Sequence, residues 1–104
     1  MAIAIKNLRS GFPGGKADVR VDRASIFGNP YRLYGESNRA GVCEKYEVYF
    51  RQKLAKCPSF KAEVDKLIDL YKQHNALNLY CWCAPKQCHA ETIRDYILQA
   101  VIEA

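Results

Sequence analysis

The residues best suited to chemistry concentrate in one short segment, residues 81–89, with the sequence CWCAPKQCH. Thiolate sulfur and imidazole nitrogen are the usual ligands of structural zinc sites. The candidate zinc ligands are Cys81, Cys83, Cys88 and His89. The spacing C-x-C-x4-C-H differs from the paired C-x2-C of common zinc motifs, so burial of Cys81 and Cys83 as small apolar side chains is the alternative.

Cys88 and His89 also suit catalysis. Cys88 lies where the pattern predicts the start of the last helix, and the unpaired N–H groups and positive dipole end there stabilise a thiolate. We therefore predict a lowered pKa for Cys88 and a role as nucleophile, with His89 as acid or base. The alternative is that Cys88 or its neighbours only cap the helix and that His89 is a satisfied surface histidine.

Three strand patterns and three helix patterns surround this segment. Residues 2–5 are apolar, residues 17–23 alternate apolar with charged side chains, and residues 77–83 alternate again, which predicts three strands. Helical spacing begins near Asn38, and Pro58 separates that helix from a second one for which Ser59 is the predicted N-cap. A C-terminal helix is predicted to begin near Cys88 or His89.

The order strand, strand, helix, helix, strand, helix predicts an α/β fold, a small sheet covered by helices. The pattern leaves open whether the sheet is parallel or mixed. A chain of 104 residues is long enough for one core and too short for two, so we expect a single domain over residues 17–104, preceded by a strand and a Gly/Pro turn over residues 1–16.

Several segments together resemble the domain-of-unknown-function family numbered 4326. They are VRVDR at residues 19–23, FGNPY at residues 27–31, Arg39, and the segment CWCAPKQCH, and the resemblance covers roughly residues 17–100. The matching positions are Arg20, Gly28, Asn29, Pro30, Arg39, Cys81, Trp82, Cys83, Pro85, Cys88 and His89. The family occurs mainly in bacteria and their phages, and an association of some relatives with modified DNA bases implies a nucleotide or nucleic-acid context. Cys43 and Cys57 lie outside the motifs and are interpreted as core.

The G-N-P turn and the cysteine segment each follow a predicted strand. If those strands are parallel, both turns lie at the carboxyl edge of the sheet, where α/β proteins bind ligands. The predicted ligand-binding residues are Arg20 and Arg39 for phosphate, Trp82 for stacking on a base, and Asn29 in the turn. Each has a structural alternative: Asn29 shapes its turn, Trp82 fills the far side of the sheet, and the arginines pair with carboxylates.

Charge and cysteine content narrow the classes of partner. The formal charge of +5 favours phosphate-bearing partners, although the basic residues are dispersed and a solvated surface is the alternative. No run of about 18 apolar residues and no secretory signal is visible, so we expect a cytoplasmic protein with no membrane partner. An odd number of cysteines argues against a complete disulfide framework.

Two classes of function follow. The first is a small phage or bacterial protein that binds a nucleotide, a modified base or nucleic acid at the two turns, with or without a reaction on it. The alternative is a non-catalytic module that binds zinc, or one that sequesters a nucleotide. Zinc is the cofactor under that alternative.

Overall fold

The computed structural model describes residues 2–31, 38–83 and 86–103. The strands are β1 (Ala2–Asn7), β2 (Asp18–Arg20) and β3 (Ala76–Cys81), with a short 3-10 helix at Leu8–Ser10. The helices are α1 (Arg39–Lys56), α2 (Pro58–His74) and α3 (Ala90–Glu103). This order confirms the predicted α/β class.

β3 is the central strand of a three-stranded sheet with the order β1-β3-β2. Both neighbours pair with β3 in parallel, with Ile5 and Val19 on either side of Leu79. The sheet is therefore parallel, and its strands all end at the same edge. β1 pairs along the whole of β3, so residues 2–7 belong to the same sheet as the rest of the chain.

The core lies between one face of the sheet and the helices. Leu77, Leu79 and Cys81 alternate along β3 and are almost completely buried on this face. The helices contribute the buried residues Tyr46, Phe50, Phe60, Val64, Leu67, Tyr71, Ile93 and Ile97. On the opposite face the ring of Phe12 packs edge-on against Tyr80, with 5.1 Å between ring centroids. The fold is thus two-layered, with all three helices on the face that carries Leu77 and Leu79.

Several predicted boundaries were wrong, each for a local reason. β2 is only three residues long, and the Val21 N–H continues its pairing with a bond to the Tyr80 carbonyl before the chain leaves the sheet. β3 ends at Cys81, so Cys83 lies beyond the strand. Ser59 does not cap α2: Pro58 occupies the first turn, because proline lacks the N–H that this position leaves unpaired, and Cys57 precedes it.

Asn75 makes the connection between α2 and β3 as short as possible. It ends the helix in the left-handed conformation, with φ of 55°, which asparagine tolerates better than most residues. β3 then begins at the next residue, Ala76. Within the described ranges, none of the helices is long and apolar enough to cross a membrane.

Gly28 sits where the chain approaches itself closely. A Cβ atom at this position would lie 2.6 Å from the Arg23 Cα and 2.8 Å from the Asp22 carbonyl oxygen. Because both neighbours are backbone, we predict that Gly28→Ala lowers the free energy of unfolding by about 1–3 kcal/mol, as overpacking does. Urea unfolding followed by circular dichroism measures the change.

Gly41 provides the matched control. It lies in α1, and a Cβ atom there would meet nothing within 4 Å. Gly41→Ala is therefore expected to leave the stability unchanged or raise it by up to about 1 kcal/mol. Equal effects of the two substitutions would contradict a steric role for Gly28.

Candidate functional site at the carboxyl edge of the sheet

A cavity of about 330 Å³ opens at the carboxyl edge of the sheet. We call it the rim cavity. Of the predicted site residues, it is lined by Asn29, Arg39, Cys81, Trp82, Cys83, Cys88 and His89. Residues that the sequence did not single out as ligands complete the lining: Asp22, Arg23, Tyr31, Val42, Cys43 and Gln87. The G-N-P turn and the cysteine segment thus meet, as the parallel strand order requires.

Asn29 has one polar atom in use and one unused. Its Oδ1 accepts the Tyr31 N–H at 2.9 Å, which shapes the turn. Arg23 also holds this turn by donating to the carbonyls of Asn29 and Tyr31, at 3.1 and 3.0 Å. The Asn29 side-chain N–H₂ has no partner among the described residues, although the residue is only 9% exposed. Asn29 therefore shapes its turn, and its side-chain donor makes no bond to the described residues.

Asp22 links the end of β2 to the end of β3. Arg20 donates to both of its carboxylate oxygens, at 3.1 and 2.6 Å, and the indole Nε1 of Trp82 donates to one of them at 3.1 Å. The Arg20 guanidinium is the main reason that the pKa of Asp22 lies below its ordinary value. The predicted phosphate-binding role of Arg20 is not supported, because Arg20 is paired with Asp22 and does not line the rim cavity.

Trp82 is held in place while its ring stays accessible. Besides the bond to Asp22, its carbonyl accepts the side-chain N–H of Asn7 at 3.2 Å. The residue is 54% exposed, so it does not fill the far side of the sheet. An immobilised, exposed indole in the wall of a cavity is suited to stacking on a planar ring.

His89 is a buried, neutral imidazole. It is 8% exposed, its Nε2 hydrogen-bonds the Val21 carbonyl, and its ring packs edge-on against Tyr46 with 4.9 Å between centroids. A carbonyl only accepts, so Nε2 carries the proton and Nδ1 a lone pair. Burial lowers the pKa of His89, which keeps the ring uncharged at neutral pH. The alternative of a satisfied surface histidine is therefore right about the hydrogen bond and wrong about the surface position.

Cys88 differs most from its prediction. Its sulfur lies 3.1 Å from that of Cys81, and the two residues are 4% and 1% exposed. The neighbouring Cys81 thiol and burial both raise the pKa of Cys88, whereas the single bond from the Ala90 N–H lowers it less. The predicted lowered pKa was wrong, because Cys88 precedes α3 by two residues and faces a second thiol.

The four predicted zinc ligands all border the rim cavity. Within the part of the chain that the structure describes, no three His, Cys, Asp or Glu side chains are placed to hold a metal ion. His89 also has Nε2 committed to Val21. Zinc binding stays a prediction that metal analysis tests. Pro85, in the same segment, lies outside the described residues.

Cys43 was wrongly interpreted as core. It lines the rim cavity from α1, one helical turn after Arg39. Residues four apart share a helix face, so the prediction that Arg39 binds a ligand also implied that Cys43 lies near the same site. Arg39 itself donates to the Gln87 carbonyl at 2.8 Å, which joins the start of α1 to the cysteine segment.

The family model described as Domain of unknown function (DUF4326) matches residues 6–99. The chain belongs to this family. The match includes both turns of the rim cavity, and it starts eleven residues earlier than the extent predicted from the motifs, so that it takes in the end of β1. No curated protein and no solved structure matches the chain.

Asp22 gives this DUF4326 domain a pH-dependent contribution to stability. Asp22→Asn is expected to lower the free energy of unfolding by about 1.5–3 kcal/mol at neutral pH, since hydrogen bonds to charged groups are lost. The pKa of Asp22 in the folded chain is below its ordinary value of 3.8, so the contribution is complete above that value and disappears as the pH falls through the folded pKa. Urea unfolding between pH 7 and pH 2.5 measures the difference.

Asp65→Asn is the control for that experiment. Asp65 pairs with Lys61 at 3.0 Å, but both side chains are exposed, so the substitution should cost at most about 1 kcal/mol. A difference between the wild type and Asp22→Asn that stays constant down to pH 2.5 would contradict the assigned role of Asp22.

The thiols of the DUF4326 domain should differ widely in reactivity. A bond from the Ser59 hydroxyl and one from the Phe60 N–H lower the pKa of Cys57, which is partly exposed, whereas Cys81 and Cys88 are buried. We expect iodoacetamide at neutral pH to modify Cys57 first and Cys88 slowly, as peptide mapping by mass spectrometry will show.

Two further samples make the alkylation experiment decisive. Ser59→Ala should slow the reaction of Cys57 and leave Cys88 unchanged. A sample treated with a chelator tests zinc, since metal-bound thiols would become reactive together when the ion leaves. If Cys88 is the fastest thiol, the burial argument is wrong and its predicted catalytic role gains support.

Proposed function

We propose that this protein binds a small ligand with a planar aromatic base, a nucleotide or a modified base, in the rim cavity. One observation carries the proposal. The cavity brings together an exposed tryptophan, two nearly buried side chains with unused polar atoms, and an arginine that has no carboxylate partner among the described residues. These are the groups needed for stacking, for reading a base edge and for attracting a phosphate.

The size and lining of the cavity favour a small molecule. A volume of about 330 Å³ lies at the lower end of the range for ligand pockets, roughly 300–1,000 Å³. Its walls are mainly apolar, as expected for a site that removes a ring from water. A base extruded from nucleic acid would also fit, so a polymer is an outcome that the experiment must distinguish.

The polar atoms suit the edge of a base. The Asn29 side chain offers an N–H donor, and the neutral His89 ring offers the Nδ1 lone pair. Both side chains are held by their other polar atom, Asn29 by Tyr31 and His89 by Val21. A donor and an acceptor fixed before binding give specificity with little loss of side-chain entropy.

Arg23 is the best-placed cation for a phosphate. Its guanidinium bonds two backbone carbonyls and, within the described ranges, no carboxylate, so its charge is not neutralised. A guanidinium has five N–H donors, and these two bonds use two of them. Arg23 therefore has the phosphate-binding role that the sequence analysis predicted for Arg20.

The chemistry of the site favours binding over a reaction. A nucleophile needs a thiolate, and burial beside Cys81 keeps Cys88 protonated. A general base needs a pKa near neutrality, and burial lowers the pKa of His89, which makes its Nδ1 a weaker base than an ordinary imidazole. Ligand binding without turnover is also consistent with the alternative that the protein sequesters a nucleotide.

Isothermal titration with the four deoxynucleoside monophosphates and the free bases tests the proposal. We expect binding of at least one of them, and Trp82→Ala should weaken it about 5- to 150-fold, because stacking on an aromatic side chain contributes about 1–3 kcal/mol. Phe12→Ala is the matched control: Phe12 is an exposed aromatic residue that packs on Tyr80 outside the rim cavity.

Salt dependence separates a nucleotide from nucleic acid. Affinity for a monophosphate should change only a few-fold between 50 and 200 mM salt, whereas a polymer held by six or more phosphate contacts would lose roughly 10³-fold or more. The proposal fails if no base or monophosphate binds the folded protein, or if Trp82→Ala and Phe12→Ala have the same effect.

A further inference from the structure

We propose that Cys81 and Cys88 form an oxidisable dithiol in the wall of the rim cavity, which hydrogen peroxide converts into an intramolecular disulfide. The inference does not depend on what the cavity binds. It rests on the position of the two sulfur atoms, on their access to the cavity, and on the absence of an equivalent pair among the other described cysteines.

The two sulfurs are held together by the fold. They lie 3.1 Å apart, one on the last residue of β3 and the other two residues before α3 begins. Both residues are packed in the core, so the contact is not a chance encounter of mobile side chains. Groups fixed at contact distance react as if at very high concentration, which favours bond formation between them.

Small oxidants can reach the pair through the rim cavity. Both cysteines line it although they are nearly buried, and a space of about 330 Å³ admits a molecule of the size of hydrogen peroxide. Cys43 and Cys83 line the same cavity, but neither makes a thiol–thiol hydrogen bond to another described cysteine. The geometry therefore selects one pair out of four thiols.

The reaction balances with peroxide as the only oxidant. The Cys88 thiolate attacks one peroxide oxygen, the O–O bond breaks, and hydroxide leaves to give a sulfenic acid. The Cys81 sulfur then attacks the Cys88 sulfur, the S–O bond breaks, and a second hydroxide leaves. With the two thiol protons the hydroxides become two waters, so both sulfurs are oxidised and both peroxide oxygens reduced.

The rates of the two steps should differ. Burial and the neighbouring thiol raise the pKa of Cys88, so little thiolate is present and the first step is slow. The second step is fast because the resolving sulfur is already in contact. The sulfenic acid should therefore not accumulate, and a thiol reductant should reverse the product.

The disulfide would tie the end of β3 to the residue preceding α3. The closed loop contains Trp82, whose carbonyl and indole N–H already bond Asn7 and Asp22. Oxidation would thus constrain the wall of the rim cavity that presents this ring.

Peptide mapping of the whole reduced protein after peroxide treatment tests the inference. Trypsin cleaves after Lys72, Lys86 and Arg94, which places Cys81 and Cys83 in one peptide and Cys88 in the next. We expect a linked peptide of residues 73–86 and 87–94, lighter by two hydrogens than its parts, and the loss of two titratable thiols of the denatured chain in addition to any loss at Cys57. Fragment ions on either side of Trp82 assign the bond to Cys81.

Variants give the matched comparison. Cys83→Ser and Cys43→Ser should still form the link, whereas Cys81→Ala and Cys88→Ala should not. Circular dichroism checks that each variant folds; if a core variant does not, the fragment ions of the wild type decide alone. The inference is overturned if Cys88 links to Cys83 or Cys43, or if the link is still absent when peroxide treatment is extended well beyond the point at which Cys57 is fully oxidised.

Discussion

Parallel pairing of two strands with β3 is the constraint on which the rest of the structure depends. Since β1 and β2 both run in the direction of β3, whatever follows β2 and whatever follows β3 must emerge at the same edge. The G-N-P turn and the cysteine segment are separated by some fifty residues in the sequence, which include α1, α2 and β3. They form one cavity because the two-helix crossover returns the chain to the same sheet in the same direction.

Buried polar groups then fix this edge. Asp22 holds Arg20 and Trp82, and His89 holds the Val21 carbonyl, so the ends of β2 and β3 and the start of α3 are joined by directional bonds. Burial of a carboxylate and an imidazole is unfavourable unless their bonds are made, which ties the shape of the cavity to the stability of the fold. The same bonds engage neither the face of the indole ring nor the second imidazole nitrogen.

Burial also decides which chemistry the thiols offer. In contact with Cys81 and away from water, Cys88 is a poor nucleophile at neutral pH but well placed to pair with a second sulfur. Cys57 has the opposite character: its pKa is lowered by the Ser59 hydroxyl, and it lies outside the rim cavity. The position of a cysteine in the sequence does not distinguish these cases, because the pKa depends on the atoms packed around the sulfur.

The sequence by itself determined the order of the elements, the α/β class and the family, because hydrophobic periodicity and short motifs are local properties. That the two turns meet followed only from the parallel pairing of the strands, which the sequence left open. Only the tertiary structure decided that Arg20 is paired with Asp22, whereas Arg23 has no carboxylate partner among the described residues. It also decided that Cys43 lines the rim cavity and that burial raises the pKa of Cys88. These outcomes depend on partners distant in sequence: Trp82 reaches Asp22 across 60 residues, and His89 reaches Val21 across 68. A local sequence pattern does not indicate which of several nearby side chains will hydrogen-bond to a given polar atom. The partner is fixed only when the sheet and the helices pack together.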